Sequence, residues 1–278
     1  MRPLPVSCPL YCMTFVLAMA LFASCASHRT GATLGDVETY IQARPDSALA
    51  TIRAIDTTTL TTPKLRAHYA LLHAMALDKN WIDTTDVGIV MPAVEYYAKH
   101  GTADQKMKAY YYLGRIQQNG HNPNEAIISL AQAETASAKS TDDAFKGLLS
   151  MVMAEIYKSA HYSDKEREYI EKGMALFQKA NDRTHYNLSF GRLAMNYQEK
   201  MDWQMADSLY QQGLILAESD SVAMRMFIAH YAAMKVIQTE PDPQGAINLL
   251  NRFHFDYKTT LPPKEYAFPL IPLSVLPP

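Results

Sequence analysis

The sequence predicts an all-α protein, an α-solenoid of five to six antiparallel helix pairs that spans residues 34–255. Three observations predict this fold class. A pattern of small and apolar residues returns every 40 residues, apolar residues recur at helical spacing within each copy, and turn-forming residues separate the paired helices. A fixed period of this size is typical of stacked repeat units that bury their apolar faces against one another.

Four copies of the repeat match at one spacing. Two positions define them, one on the first helix of each pair and one on the second. The first position holds Gly114, Ala154, Ala194 and Met234, and the second, twelve residues later, holds Ala126, Glu166, Ala206 and Ala246. Small residues at such positions let two helices cross closely. At the second position Glu166 stands where an alanine is expected, and its charge predicts that it lies with Glu168 on an exposed face.

Each copy consists of two helices and a turn. The segment "MKAYYYLGRIQQ" predicts a first helix on which Tyr110 faces the core, whereas Tyr111 and Tyr112 lie nearer a concave face. "NGHNP" then supplies a turn, with its proline near the start of the second helix, "NEAIISLAQAETA". Upstream, "RPDSALATIRAID", "KLRAHYALLHAMALDKN" and "VMPAVEYYAKHG" fit the same alternation of helices and turns.

Residues 1–24 are predicted to be a secretory signal peptide. Leu10 to Ala23 is an apolar run without a charge, and it is too short to span a bilayer, which needs roughly 20 apolar residues. Small residues and then Cys25 follow it. Cys8 and Cys12 lie in the segment to be removed, so Cys25 would be the one cysteine left. An ordinary signal peptide with an incidental Cys25 is the alternative interpretation.

The segment "LFASC" resembles a bacterial lipobox, with Phe22 where a branched aliphatic residue is usual. This resemblance implies a lipid on Cys25, and the several acyl chains of such a lipid make a stable membrane anchor. Residues 25–33 would then form a lipidated tether, flexible from Ala26 to Gly31. At the other end, residues 256–278 are rich in proline and cannot continue the helical pattern.

The repeat itself resembles the tetratricopeptide repeat (TPR). Leu113-Gly114, Ala126, Leu130 and Ala133 carry the likeness, and Tyr157, Tyr197 and Trp203 stand where that family often has aromatic residues. The family's usual unit is about 34 residues, so a period of 40 implies longer helices or loops. The combination "ALDKNWIDTTD…AVEYYAKHG…AYYYLGRI" further resembles repeat-containing lipoproteins and sensor regions of Bacteroidetes-type bacteria. Such repeats serve many partners, so the likeness implies a fold more than a function.

The TPR resemblance implies a groove, lined by the first helices, that binds a protein or peptide. Carrying the family's groove positions onto this chain gives Tyr111, Arg115, Met151, Glu155, Lys158, Gln198, Tyr231 and Lys235. The Lys/Asn set that clamps a C-terminal carboxylate in some family members is not reproduced. The 17 tyrosines have a second interpretation, because stacked helices also bury aromatic side chains simply to pack.

Other classes of function find little support in the sequence. A formal net charge of −2 and the absence of a basic cluster argue against nucleic acid as a partner. None of the standard enzyme motifs is present, so no catalytic residue and no cofactor is expected. His161, Asp164 and Glu166 form the densest group of metal-ligand residue types, but they fall at an inter-helix turn and are expected to be solvated rather than to hold a metal.

The sequence therefore predicts a non-catalytic, TPR-like lipoprotein that acts as a protein- or peptide-binding scaffold. An extracytoplasmic sensor component of a signalling system is the first alternative, and capture of a nutrient or glycan is a weaker one. "CASHRTG" has no acidic residue after Cys25 that would indicate sorting to the cell surface. This absence favours a periplasm-facing location. The predicted location is therefore the cell envelope, lipid-anchored and periplasm-facing, with the outer membrane favoured over the inner.

Overall fold

A computed structural model describes residues 27–217 and 221–252 of the chain, and the side chains of residues 221–223 and 252 are not part of that description. Within these ranges the protein has twelve α-helices, two short 3-10 helices at Thr57–Thr59 and Val87–Ile89, and no strand. The α-helices are α1 (27–40), α2 (Pro45–Arg53), α3 (Pro63–Lys79), α4 (Met91–His100), α5 (Ala103–Asn119), α6 (Pro123–Ser137), α7 (Asp143–Ser159), α8 (Ser163–Lys179), α9 (Arg183–Glu199), α10 (Trp203–Leu216), α11 (Ser221–Ile237) and α12 (Pro243–Arg252).

The helices divide into two compact units. Unit 1 is Met1–Ala138 and unit 2 is Lys139–Pro278. The described part of each unit contains three consecutive helix pairs, from α1/α2 to α5/α6 and from α7/α8 to α11/α12. The prediction of an all-α fold of five to six antiparallel helix pairs is confirmed. Among the described residues, no helix combines the length and the apolar character that crossing a membrane requires.

The starts of the first helices keep the 40-residue period. The side chain of the N-cap residue accepts a hydrogen bond from the third backbone N–H of the helix in α3, α5, α7 and α9, at Thr62, Thr102, Asp142 and Asp182 respectively. Such a bond satisfies one of the backbone donors that an α-helix leaves unpaired at its start. Thr102 also forms a capping box with Gln105.

The ends of the first helices keep the same period in their backbone. In α3, α5, α7 and α9 the second residue after the helix adopts a left-handed conformation, with φ between 57° and 61°, at Trp81, His121, His161 and Met201. In each case the next N–H reaches back five residues, as in Asn122 N to Gln117 O at 2.9 Å, which is the hydrogen bond of a Schellman motif. Glycine usually occupies this position because it has no Cβ. Asn181 closes α8 in the same way.

Small residues lie where neighbouring helices cross, both within a pair and between consecutive pairs. In unit 1, a Cβ on Gly114 would lie 2.6 Å from Cγ of the buried Leu130, so α5 and α6 could not approach as closely with any larger residue. In unit 2, a Cβ on Gly147 would lie 2.5 Å from the ring of Phe177, and one on Gly213 would overlap the ring of Phe227. Both rings are fully buried.

The structure corrects two predictions about individual side chains. Glu166 is buried, with 4 % of its surface exposed, because it occupies the close-crossing position that alanine fills in the other three copies. Tyr110 is only partly buried, whereas Tyr111 and Tyr112 are the buried tyrosines of α5. The predicted helix is therefore correct, but the predicted buried face is wrong by about one residue, which is a rotation of about 100°.

Only some of the predicted segments lie within the residues that the structure describes. Residues 27–33, expected to belong to a flexible tether, are helical and form the start of α1. Hydrogen bonds between the hydroxyls of Ser27 and Thr61 and of Thr30 and Thr59, each 2.8 Å, tie this segment to the residues before α3. The signal peptide, Cys25 and the proline-rich tail lie outside the described residues.

Candidate functional site

The two predicted groove residues of unit 1 have different environments. Tyr111 is 6 % exposed and meets Tyr112 edge to face, with ring centroids 5.0 Å apart, so its side chain packs within the unit. Arg115 is half-buried. Its Nε lies 3.5 Å from Oδ1 of Asp78 on α3, and its Nη1 donates to Oε1 of Gln118 at 3.2 Å. Arg115 is therefore held in place across two neighbouring first helices.

Met151 of unit 2 also belongs to the core. It is 8 % exposed, its sulfur accepts a hydrogen bond from Ser189, and its backbone carbonyl accepts one from Nη1 of Arg192 at 2.9 Å. Glu155, one turn further along α7, is exposed. Burial gives Met151 a packing role, and contact of Glu155 with a partner stays a prediction.

Lys158 and Gln198 are partly buried and each has a partner within unit 2. Lys158 Nζ lies 2.6 Å from Oε1 of Glu199 on α9, which links two consecutive first helices as Arg115 and Asp78 do in unit 1. Gln198 Oε1 accepts a hydrogen bond from the Tyr210 hydroxyl at 3.4 Å.

Tyr231 and Lys235 lie together, one turn apart on α11, against α10. The Tyr231 hydroxyl donates to Oδ1 of Asp207 at 2.6 Å, and Lys235 Nζ lies 2.8 Å from the same oxygen. Gln211 donates to the other carboxylate oxygen at 2.6 Å. We refer to Asp207, Gln211, Tyr231 and Lys235 as the Asp207 cluster. Two predicted groove residues, Tyr231 and Lys235, thus contact the same carboxylate.

The charges of the Asp207 cluster stabilise one another. Burial alone would raise the pKa of Asp207, but hydrogen bonds from Lys235 and Tyr231 outweigh it and hold that pKa below its ordinary value. For Lys235, burial lowers the pKa, and the hydrogen bond to Asp207 reverses the effect, so that the net pKa is raised. Burial and the Asp207 hydrogen bond raise the pKa of Tyr231. The cluster thus holds an ammonium, a carboxylate and a neutral phenol at neutral pH.

Sequence reasoning missed Asp207 because the carried-over groove positions all lie on first helices, whereas Asp207 lies on α10, a second helix. Its position directly after the close-crossing residue Ala206 is the signal that could have found it. The acidic partners Asp78 and Glu199 were missed for another reason. Arg115 and Asp78 are 37 residues apart and Lys158 and Glu199 are 41 apart, and only stacked repeats bring such positions together.

A second polar group in unit 2 lies in the core rather than on the surface. Asn196 Nδ2 donates to Oε2 of Glu166 at 2.7 Å and to the backbone carbonyl of Ser163 at 2.9 Å, while the buried Asn196 Oδ1 has no hydrogen-bond partner. Burial raises the pKa of Glu166, and the Asn196 hydrogen bond only partly offsets this effect. The pair lies at a helix crossing, where a charge is expensive to desolvate.

The described residues offer no obvious metal centre. No group of three His, Cys, Asp or Glu side chains in the part of the chain that the structure covers could hold a metal ion. His161 is the left-handed residue of the turn after α7, Asp164 pairs with Lys200 and Arg167, and Glu166 is buried against Asn196. The three residues that sequence analysis grouped therefore serve three separate structural roles.

Comparison with solved structures agrees with this geometry. The chain is similar to the kinesin light chain nearly identical TPR-like repeats of Podosopora anserina, with 19% identity over 70% of this chain and 95% of that chain and a TM-score of 0.56. It is also similar to BtubC (BKLC) from P. vanneervenii, with 13% identity, 83% and 89% coverage and a TM-score of 0.58. The fold is TPR-like. At these identities the likeness shows the fold alone.

Comparisons based on sequence add nothing further, because no protein-family model matches the chain and no curated protein does.

Proposed function

We propose that the chain is a non-catalytic scaffold that binds a protein or peptide partner. The TPR-like fold carries this proposal, since folds of this kind commonly bind proteins and generally lack catalytic activity. Fold alone does not identify a partner. The side chains on the first helices indicate a few surface positions where a partner could make contact.

Three half-buried cations on first helices are the best candidates for partner contact. Arg115, Lys158 and Lys235 each pair with an acid on a neighbouring helix, at Asp78, Glu199 and Asp207. Because these pairs hold long side chains in fixed positions, a partner that contacts them loses less conformational entropy on binding. Polar groups held in this way favour specificity for a partner with complementary charge.

We also propose that lipid on Cys25 anchors the scaffold to the cell envelope, facing the periplasm and at the outer membrane. The apolar segment Leu10 to Ala23, the small residues after it and the resemblance of "LFASC" to a lipobox support this location. Mass spectrometry of the protein purified from membranes tests it. A mature chain that begins at an acylated Cys25 is expected, and a chain cleaved elsewhere without acylation would contradict the proposal.

Cross-linking in intact cells followed by affinity capture tests the scaffold. We expect the wild type to capture a specific partner, and the Lys158→Met, Lys235→Met double variant to lose most of it. A Lys139→Met, Lys165→Met double variant is the matched control, since it removes the same charge from exposed positions of unit 2. Equal capture by all three proteins would contradict the assignment of the surface, and capture by none would contradict the scaffold itself.

A sensor component is the second candidate function. It requires a site for a signal molecule, and a cleft in unit 1 is the feature that favours it.

A further inference from the structure

A cleft of about 790 Å³ lies within unit 1, between α1, α3, α4 and α5. Its volume falls in the range of about 300–1,000 Å³ that is usual for small-molecule sites. None of the eight predicted groove residues lines it. The cleft is therefore a separate feature from the surface proposed for a protein partner.

The two ends of the cleft carry opposite charge. At one end the Ser27–Thr61 hydrogen bond joins the start of α1 to the start of α3, which places His28 and Lys64 at that end. At the other end Glu38 of α1 lies 3.0 Å from Nε2 of His68 on α3. The hydrogen bond from His68 and its charge hold the pKa of Glu38 below its ordinary value, and Lys108 of α5 acts in the same direction. Glu38 is thus an anion at neutral pH, and its side chain is 63% exposed.

The helix geometry sets the scale of the distance between the two ends. His28 and Glu38 are ten residues apart on α1, which corresponds to about 15 Å along the helix axis. Lys64 and His68 are four residues apart on α3, or about 6 Å. An extended peptide spans about 3.3–3.6 Å per residue. A ligand that bridges the two ends therefore has the length of two to four amino-acid residues.

Apolar groups also line the cleft. Leu65, one residue after Lys64, lies 3.6 Å from the position that a Cβ on Gly31 would occupy, so α1 and α3 are close together there. Tyr97 of α4 also lines the cleft, and burial raises the pKa of its hydroxyl to about 12, which keeps the phenol neutral. Apolar walls with a few polar groups at defined positions are typical of sites that orient a small ligand.

From this arrangement we infer that the cleft binds a free oligopeptide of two to four residues with apolar side chains, whose amino terminus pairs with Glu38 and whose carboxylate pairs with Lys64. A segment inside a longer protein lacks one or both of these terminal charges, so the site selects free short peptides over protein segments. Binding would occupy unit 1 without requiring the macromolecular partner.

Isothermal titration of the full-length protein with the tripeptide Ala-Leu-Ala tests the inference, with N-acetyl-Ala-Leu-Ala-amide as the blocked control. We expect saturable binding of the free peptide and at least about tenfold weaker binding of the blocked one, since each end would lose a charge-assisted hydrogen bond. Equal affinity for the two peptides would overturn the inference. Failure of the free tripeptide and of the free di- and tetrapeptides Ala-Leu and Ala-Leu-Leu-Ala to bind at millimolar concentration would overturn it as well.

Two variants locate the site. Glu38→Gln and Lys64→Met are each expected to weaken the free peptide about tenfold. Glu95→Gln and Lys99→Met make the same changes at exposed positions of α4 and are expected to leave the affinity unchanged. Lys64 is exposed, so its replacement tests the site even if loss of the Glu38–His68 pair disturbs folding. Unchanged affinity in Lys64→Met would overturn the assignment.

Discussion

Units 1 and 2 share one TPR-like architecture but differ in what their cores contain. Among the described residues, unit 1 buries one polar side chain, Ser129, whereas unit 2 buries seven, at Ser140, Ser150, Glu166, Asn187, Ser189, Asn196 and His230. The units also differ at their helix crossings. Glycines of unit 2 face the rings of Phe177 and Phe227, while the crossing of α5 and α6 in unit 1 pairs Gly114 with Leu130.

This difference shows that the repeat fixes backbone positions but leaves the chemistry of the core open. Caps and left-handed turns recur every 40 residues, with the left-handed turns in both units. The residues between them can be apolar and leave a cleft, as in unit 1, or include buried polar groups, as in unit 2. We therefore expect changes of pH to alter mainly the stability of unit 2. Substitutions at the shared turns should alter the stability of both units in the same way.

The largest expected effect comes from His230 in unit 2. Burial lowers the pKa of His230 to about 4, whereas the unfolded chain has the ordinary value near 6.5. A group with a lowered pKa of this kind contributes full stability above pH 6.5 and loses it as the pH falls toward 4. The shift corresponds to about 3 kcal/mol. Urea unfolding of the wild type and of His230→Leu should diverge by this amount between pH 7.5 and 4, and parallel curves would contradict a buried neutral imidazole.

The next prediction compares a close helix crossing in unit 2 with an open helix surface in unit 1. Gly213→Ala places a Cβ against the buried ring of Phe227 and should lower the free energy of unfolding by about 1–3 kcal/mol. Gly35→Ala makes the same change on α1, where nothing lies within 4 Å of the new Cβ, and should raise it by about 0.5–1 kcal/mol. Thermal and urea unfolding measure both. Effects of the same sign would show that close crossing does not explain Gly213.

Glu166 should show a smaller effect of opposite sign. Its raised pKa means that the buried carboxylate destabilises the fold above that pKa, and the penalty disappears as the pH falls below the ordinary value near 4.5. Glu166→Gln removes the charge, and its amide can donate to the unpaired Asn196 Oδ1. We expect a gain of about 1 kcal/mol at pH 7.5 that shrinks toward pH 4.5.

Glu168→Gln, at an exposed position of the same helix, is the control and should change stability by less than about 0.5 kcal/mol. A loss of stability in Glu166→Gln at pH 7.5 would show that the carboxylate is needed where it lies.

The smallest effect concerns the turns that the two units share. Met201→Gly in unit 2 and His121→Gly in unit 1 should each raise stability by roughly 0.5–1 kcal/mol, because glycine adopts φ near 60° without steric cost. Met205→Gly, four residues further and inside α10, should instead lower it by about 1 kcal/mol. Opposite signs at His121 and Met201 would show that the two turns are not equivalent.

The sequence was sufficient to predict the fold because many positions in each copy follow the same 40-residue repeat. The groove was harder to predict. A first helix in a stack packs against its own partner helix and against the neighbouring pairs. A residue at a groove position taken from the family can therefore be buried, as are Met151, which is 8 % exposed, and Tyr231, which is 5 % exposed. The predicted exposure of Glu166 was wrong because its charge was given more weight than its position in the repeat. Ion pairs such as Lys158–Glu199 depend on how repeats stack, which no local pattern reveals.

Site-specific photo-cross-linking in cells tests the central claim, that the first helices present the partner-binding surface, most directly. A benzoylphenylalanine at Glu155, exposed on the first helix α7, is compared with one at Glu171, exposed on the second helix α8. We predict a discrete cross-linked partner from position 155 and none from position 171. A partner cross-linked from position 171 alone would contradict the claim.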